Sequence, residues 1–543
     1  MNEKQPVYIL PDNIQRMIGK DAQRNNILAA RLVAETVKTT LGPKGMDKML
    51  VDSTGGIIIT NDGVTILEEI EIEHPAAKMM VEIAKTQESE VGDGTTTAVI
   101  LAGKLLENAE KLLDERIHPT VISRGYRLAA EQAQRIAQEL ANTIEITQLD
   151  LLKQVAITAM VGKGAEAAKE KLADIVVYAV IQVSEKRNNK IIVNKNNIKL
   201  EKRKGDGVED TELIAGIVID KEKVHSEMPD LIKNAKIALL DCALELKGPE
   251  TDTKISISTP DQLQAFMQRE ENELKGIVSK IKNSGANVVL CQKGIDDVAQ
   301  YYLTREGITA ARRVKKSDME KLAKATGGKI VSNLNELTLS DLGFAGTVKE
   351  ERGDDQEGML YITECRNPKA VTILIRGGTQ HVIDEFERAI KDGLGDVAAA
   401  LETGKVVAGG GAFEMELQKR LKKFAQGIQG REQLAVNSFA DSLEVVPRTL
   451  AENAGLDPID ILTELKAKHD SEDGKFQGLD VSSNVGGEIC NTIEKGIIEP
   501  LEIKIQALKS ASEVAMMILR IDDIIASRPP TSMSQQNPMA GYD

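Results

Sequence analysis

The sequence predicts a multidomain α and α/β protein, with one helical domain built from both chain ends around an inserted module. Three observations lead there. Apolar residues recur at helical spacing up to about residue 145 and again after about 380. From about 217 to 371, short apolar runs such as Ile237–Leu240, Val288–Leu290, Lys329–Val331 and Val371–Ile375 alternate with helical stretches, as in an α/β module. The chain has 543 residues, too many for a single core.

Taken in order, Ile14, Met17, Ile18, Ile27, Leu32, Val33 and Val37 predict a helix over about 14–40. It stops at Leu41-Gly42-Pro43-Lys44-Gly45, because Gly-Pro cannot continue it. Met49–Asp52 and Ile57–Thr60 flank Ser53-Thr54-Gly55-Gly56 and predict a hairpin. Asn61-Asp62-Gly63 makes a second turn. Helices are expected over 75–91, 96–115 and 119–142, then up to Val161-Gly162-Lys163-Gly164, then from Ala165 to about Ser184. Strands with charged turns follow over 191–220. Within the α/β module, Lys247–Asp252 is a polar loop leading to Leu263, Phe266, Met267 and a long charged helix through Ile281. That arm is either a solvated surface helix or a mobile contact for a partner. A helix over Asp384–Leu401 ends before Val406-Val407-Ala408-Gly409-Gly410-Gly411, and four more helical stretches reach about Ser527. Arg528–Asp543 has no apolar pattern and is expected to be a disordered tail.

Composition narrows the function. A net charge of −15 argues against nucleic acid or an anionic membrane as the main partner. No apolar run of about 18 residues suggests a membrane span, and 1–11 has no apolar leader core. The four cysteines are scattered without a CxxC, which fits a reducing cytoplasm and argues against zinc or a disulfide framework.

The chemistry centres on Gly92-Asp93-Gly94-Thr95-Thr96-Thr97 followed by the apolar run Ala98–Ala102. Two glycines permit a tight turn, and three threonines stand where a helix begins. Amide groups at a helix start attract phosphate. Asp93 adds a hard oxygen suited to Mg²⁺. The same stretch also reads as an ordinary capped helix. No G-x-x-x-x-G-K-[ST] loop occurs. Instead, glycine turns lie at 41–45, 61–63, 92–97, 162–164 and 409–411. Phosphoryl transfer needs a metal, a lysine and a carboxylate to position water. Asp62, Asp93, Lys163 and Asp392 are of the right types.

Four stretches together resemble the signatures of group II chaperonins, nearest the archaeal thermosome type, with the eukaryotic cytosolic chaperonin as a relative. They are Leu41-Gly-Pro-Lys-Gly-Met-Asp-Lys-Met-Leu50, Thr60-Asn-Asp-Gly-Val-Thr-Ile-Leu67, Gly92-Asp-Gly-Thr-Thr-Thr-Ala98 and Val407-Ala-Gly-Gly-Gly411. The resemblance spans about 10–527. It implies the chaperonin fold: equatorial 1–147, intermediate 148–216, apical 217–371 with a lid protrusion at about 247–284, intermediate 372–405 and equatorial 406–527. It implies ATP and Mg²⁺ as cofactors, unfolded proteins as clients, and identical or paralogous subunits in two stacked rings of eight or nine.

By the same resemblance, Leu41, Gly42, Pro43 and Gly63 line the nucleotide, Asp93 binds Mg²⁺, and Gly94, Thr95, Thr96 and Thr97 cradle the phosphates. Asp62 and Asp392 orient the attacking water, and Lys163 senses the terminal phosphate. Gly410 and Gly411 pack on the nucleoside, with Asp480 and Glu499 near base and ribose. The chain departs from the family twice. Asp392-Gly393-Leu394 stands where relatives have Asp-Ala, which implies looser closure, and the tail lacks Gly-Met repeats. An ATP-independent holdase or a small-molecule kinase are the competing functions.

Overall fold

A computed structural model describes residues 14–51, 55–163, 168–188, 190–205, 207–246, 259–352, 358–471, 474–482 and 486–527. Gly164, the hairpin residues Ser53 and Thr54, the loop 247–252 and the tail 528–543 lie outside them. The chain forms two compact units. The first takes its described residues from Met1–Ala141, Val407–Lys495 and Ile503–Asp543, the second from Asn142–Val406 and Gly496–Glu502.

The first unit is the helical domain expected from both chain ends. Helices Lys20–Lys38, Pro75–Glu90, Thr95–Asp114 and Pro119–Leu140 pack with Ala412–Ala425, Glu432–Ser442 and Val445–Asn453. Small residues set the spacing. A Cβ on Gly103 would lie 2.4 Å from Ala34 Cβ, and one on Gly125 would lie 2.4 Å from Ala435 Cβ. Tyr126 is fully buried and joins the two halves: its hydroxyl donates to Leu105 O (2.8 Å), and its ring meets Phe439 edge-on at 5.7 Å. With few aromatics, this core rests on alanine and branched aliphatic side chains.

Two expectations fail here. Residues 14–18 form a strand rather than the start of a helix, and the helix begins only at Lys20. The strand pairs antiparallel with Asp523–Ser527, from Ile14 opposite Ser527 to Ile18 opposite Asp523. A partner five hundred residues away overrides the local spacing of Ile14, Met17 and Ile18. Beyond residue 411 there are five α-helices among the described residues, not four, with a hairpin of Gln477–Asp480 and Glu488–Asn491 between them.

The second unit contains a seven-stranded sheet. Its order is Thr309–Ala311, Val288–Cys291, Leu231–Leu240, Gly343–Arg352, Gly358–Thr363 and Ile217–Ile219, with Ile330–Val331 also pairing Leu231–Leu240. Ile237, Leu239, Val288, Leu290 and Ala345 fill one face. Ala238, Leu240, Val289 and helix residues Leu274, Val278 and Ile281 fill the other. Val371–Gly377, whose first residues read as one of the runs of the α/β module, pairs with Ile198–Lys204 and Glu212–Ile214 in a separate three-stranded sheet. The long charged helix is Pro260–Ser284; one face of its last three turns is buried through Leu274, Val278, Ile281 and Ser284, while Leu263 and Met267 are exposed. Helices Leu149–Met160, Lys169–Val183 and Gln380–Thr403 pack together.

The unit boundaries differ from 147/148 and 405/406. Asn142–Thr143 pairs with Val406 and Lys405, so the chain enters and leaves the second unit side by side. Gly496–Glu502 also returns to it. The Thr158 hydroxyl holds that return, lying 3.3 Å from both Gly496 O and Ile498 N.

Candidate functional site

The first unit brings two helix starts against each other. Gly92 (φ +91°) and Gly94 (φ +78°) turn the chain into helix Thr95–Asp114. Gly94 stands at the capping position and supplies no side chain to the first-turn amides. Helix Gly63–Glu69 starts beside it. A Cβ on Gly63 would lie 2.6 Å from Thr96 Oγ1 and 3.3 Å from Thr96 N, so only glycine permits this approach. Of the two helix starts, that of Gly63–Glu69 is capped by the Asp62 carboxylate, whereas that of Thr95–Asp114 has no side-chain cap and leaves its first-turn amides as the anion-attracting end.

Asp62 is engaged locally. Its carboxylate accepts from Thr65 N (3.0 Å), Thr65 Oγ1 (2.6 Å) and, weakly, Val64 N (3.4 Å), capping helix Gly63–Glu69. The residue is only half-buried, so carboxylate lone pairs remain for a further donor.

The Leu41–Pro43 loop is fastened from helix Val445–Asn453. Asn453 Nδ2 donates to Lys38 O (3.1 Å) and Leu41 O (2.9 Å), and Lys38 pairs with Glu452 at 2.8 Å. Gly42 adopts φ +83°, and a Cβ on it would strike Leu450 Cδ2 at 2.3 Å. Gly410 and Gly411 repeat the device. Both have positive φ, a Cβ on Gly410 would meet Leu479 O at 2.7 Å, and Gly411 caps helix Ala412–Ala425 without a side chain. Asp480 ends the adjoining strand, nearly buried, accepting from Ser482 N (2.9 Å) and Ser482 Oγ (2.6 Å). Behind this turn, Glu414 and Lys504 form a buried ion pair at 2.9 Å.

The second unit holds the remaining candidates. Lys163 follows the end of helix Leu149–Met160, and its Nζ lies 2.5 Å from an Asp392 carboxylate oxygen. Asp392 sits within helix Gln380–Thr403, among Ile390, Leu394 and other buried residues. Glu499 lies half-buried in the strand Ile498–Pro500. It therefore belongs to the second unit, whereas Asp480 belongs to the first.

Among the described residues, no group of three His, Cys, Asp or Glu side chains is arranged to hold a metal. Mg²⁺ needs no such cage: it is commonly held by one or two carboxylates together with substrate phosphates and water. Asp93, in the glycine turn that precedes the uncapped start of helix Thr95–Asp114, is of the right type for that donor set. The cysteines do not suggest an alternative, since burial pushes the Cys291 and Cys365 thiols up to about 11.

Sequence reasoning missed Gln87, Asn453 and the Glu414–Lys504 pair. The available signal was a polar residue on an apolar stripe: Gln87 follows Ile83 and Ala84, and Lys504 stands among Ile503, Ala507 and Leu508.

The TCP-1/cpn60 chaperonin family model matches residues 33–529. The chain is 60% identical over 525 residues to a thermosome subunit of Methanopyrus kandleri, covering 96% of this chain and 95% of that one. It is 58% identical over 524 residues to thermosome subunit beta of Archaeoglobus fulgidus, covering 96% and 95%. Among solved structures, it resembles an open-state monomer of a group II chaperonin from Methanococcoides burtonii. The TM-score is 0.59 at 47% identity, covering 79% of this chain and 100% of that chain.

Proposed function

The chain belongs to the TCP-1/cpn60 chaperonin family and is a chaperone of the group II type, and from that premise we propose that it hydrolyses ATP to drive a closing folding chamber. The observation that carries the nucleotide reading is the contact of two helix starts at Gly63 and Thr96, made on glycine turns. The amides of Thr95, Thr96 and Thr97 bind phosphate oxygens, and the Asp93 carboxylate holds Mg²⁺. The metal, when bound, neutralises charge that develops on the phosphates. Asp392 and Asp62 orient the attacking water. Lys163 binds the terminal phosphate. The flanking turns Leu41–Pro43 and Gly410–Gly411 shape the nucleoside pocket, with Asp480 and Glu499 toward base and ribose.

The remaining functions follow the same reading. The helix Pro260–Ser284, with Leu263 and Met267 exposed at its outer end, belongs to the lid and covers the chamber. Clients are unfolded proteins. Subunits, identical or paralogous, form two stacked rings of eight or nine in the cytoplasm. Among the described residues, no helix is long and apolar enough to cross a membrane.

Three measurements on the purified protein test this: electron microscopy for a double ring, phosphate release from ATP with no added acceptor, and protease shielding of a bound client with and without ATP. Release that requires an added acceptor points to a kinase. Client release indifferent to nucleotide points to a holdase.

A further inference from the structure

Gln87 lies in the last turn of helix Pro75–Glu90, with none of its surface exposed. It occupies the apolar stripe formed by Met80, Ile83 and Ala84, where a methionine or leucine would pack without polar cost. Its side-chain Nε2 donates to Asp93 O (2.9 Å) and to Ile503 O (3.2 Å). Its backbone carbonyl accepts from Val91 N (3.0 Å) and Gly92 N (3.3 Å), closing the helix end. One residue thus holds both the approach to the 92–94 turn and the peptide leaving Asp93. Both side-chain partners are carbonyls, so the amide must present its NH₂ side to them, and no flipped alternative satisfies the contact. The Oε1 atom is buried with no hydrogen-bond partner among the described residues. A buried unsatisfied acceptor is unfavourable, so this glutamine is poorly explained by stability alone.

The next residue confirms how tightly this point is built. A Cβ on Gly94 would lie 3.1 Å from Gln87 Nε2 and 2.6 Å from Ile503 Cγ2. Holding the Asp93 carbonyl fixes the peptide between Asp93 and Gly94, and with it the direction in which the Asp93 side chain leaves the loop.

We propose that Gln87 is a positioning residue: it aims the Asp93 carboxylate at the metal by clamping the Asp93 carbonyl to Ile503. The inference rests on the reading of Asp93 as the Mg²⁺ ligand. Groups that orient a metal ligand are typically worth about 10–100-fold in metal affinity.

The test uses the full-length protein with ADP, and Mn²⁺ in place of Mg²⁺, with free Mn²⁺ followed by electron paramagnetic resonance. Gln87→Met removes the donor at similar length. Gln87→Glu keeps the shape but sets an acceptor against two carbonyls, and it serves if the Met variant does not assemble. Asp93→Asn is the reference. The expected result is Mn²⁺ binding weakened about 10-fold or more in the Gln87 variants, approaching the loss in Asp93→Asn. A purely structural role would lower the unfolding midpoint and leave Mn²⁺ affinity within twofold of the unsubstituted protein. That outcome, with Asp93→Asn defective, overturns the role of Gln87 and spares the metal assignment. Unchanged Mn²⁺ binding in Asp93→Asn overturns both.

Discussion

Lys163 Nζ lies 2.5 Å from the carboxylate of Asp392, 229 residues further along the chain, with both side chains largely sheltered from water. Each charge partly neutralises the other. On the proposed reading, a terminal phosphate, more highly charged than a carboxylate, competes for the lysine, whereas ADP offers no such group. Lys163→Ala is therefore expected to bind ATP yet fail to compact when ATP is added. Small-angle scattering with and without ATP reads this directly, and ordinary compaction would refute it.

Asp392→Ala is expected to bind ATP and Mg²⁺ but to hydrolyse more slowly by orders of magnitude, since groups that orient a nucleophile contribute on that scale. Single-turnover hydrolysis measured beside equilibrium ATP binding separates the two effects. Weaker binding with an unchanged rate would make Asp392 structural and leave the water to Asp62.

Asp62 caps a helix and, on the proposed reading, also orients the water; substitutions can separate the two. Asparagine also caps helices well, whereas alanine does not. Asp62→Ala should lose about 1 kcal/mol of stability from the start of helix Gly63–Glu69, and Asp62→Asn only a few tenths. Both should hydrolyse ATP slowly. Denaturant midpoints alongside hydrolysis rates decide the matter; a fully active Asp62→Asn leaves the residue a cap only.

Gly393 is helical with no positive φ, and a Cβ there would lie 3.4 Å from Met160 Cγ and Sδ and 3.6 Å from Val176 Cγ1. Those are ordinary contact distances. Gly393→Ala should therefore raise stability by about 0.5–1 kcal/mol, the usual difference between these residues within a helix. A lowered denaturant midpoint would show that Met160 and Val176 cannot accommodate the methyl group.

The sequence made the helical elements legible because their apolar spacing and glycine stops are local. Thr95–Asp114 and Pro119–Leu140 lie within two residues of expectation at each end. Long-range partners decided what was misread. Ile14–Ile18 has helical spacing but is drawn into a strand by Asp523–Ser527. The glycine turns of the site were visible as residue types. What the glycines avoid was not: Thr96 for Gly63, Leu450 for Gly42 and Leu479 for Gly410 become neighbours only in the folded chain. Gln87 stood out only as a polar residue on an apolar stripe; its carbonyl partners, Asp93 and Ile503, meet it together only in the folded chain.

The first unit also sets the order of events during synthesis. Tyr126 waits for Phe439, and Ile14–Ile18 waits for Asp523–Ser527, while residues 142–406 of the second unit are translated between them. At roughly 5–20 residues per second, that interval lasts on the order of tens of seconds. Throughout it, the helices of residues 20–140 have emerged from the ribosome with one face uncovered. Nascent chains halted near residue 420 should therefore show a protease-resistant sheet over residues 217–363 and a cleavable N-terminal segment. Equal resistance of both would mean that those helices close on themselves first. On the expected outcome, the newly made subunit itself needs shielding from aggregation until its last strand arrives.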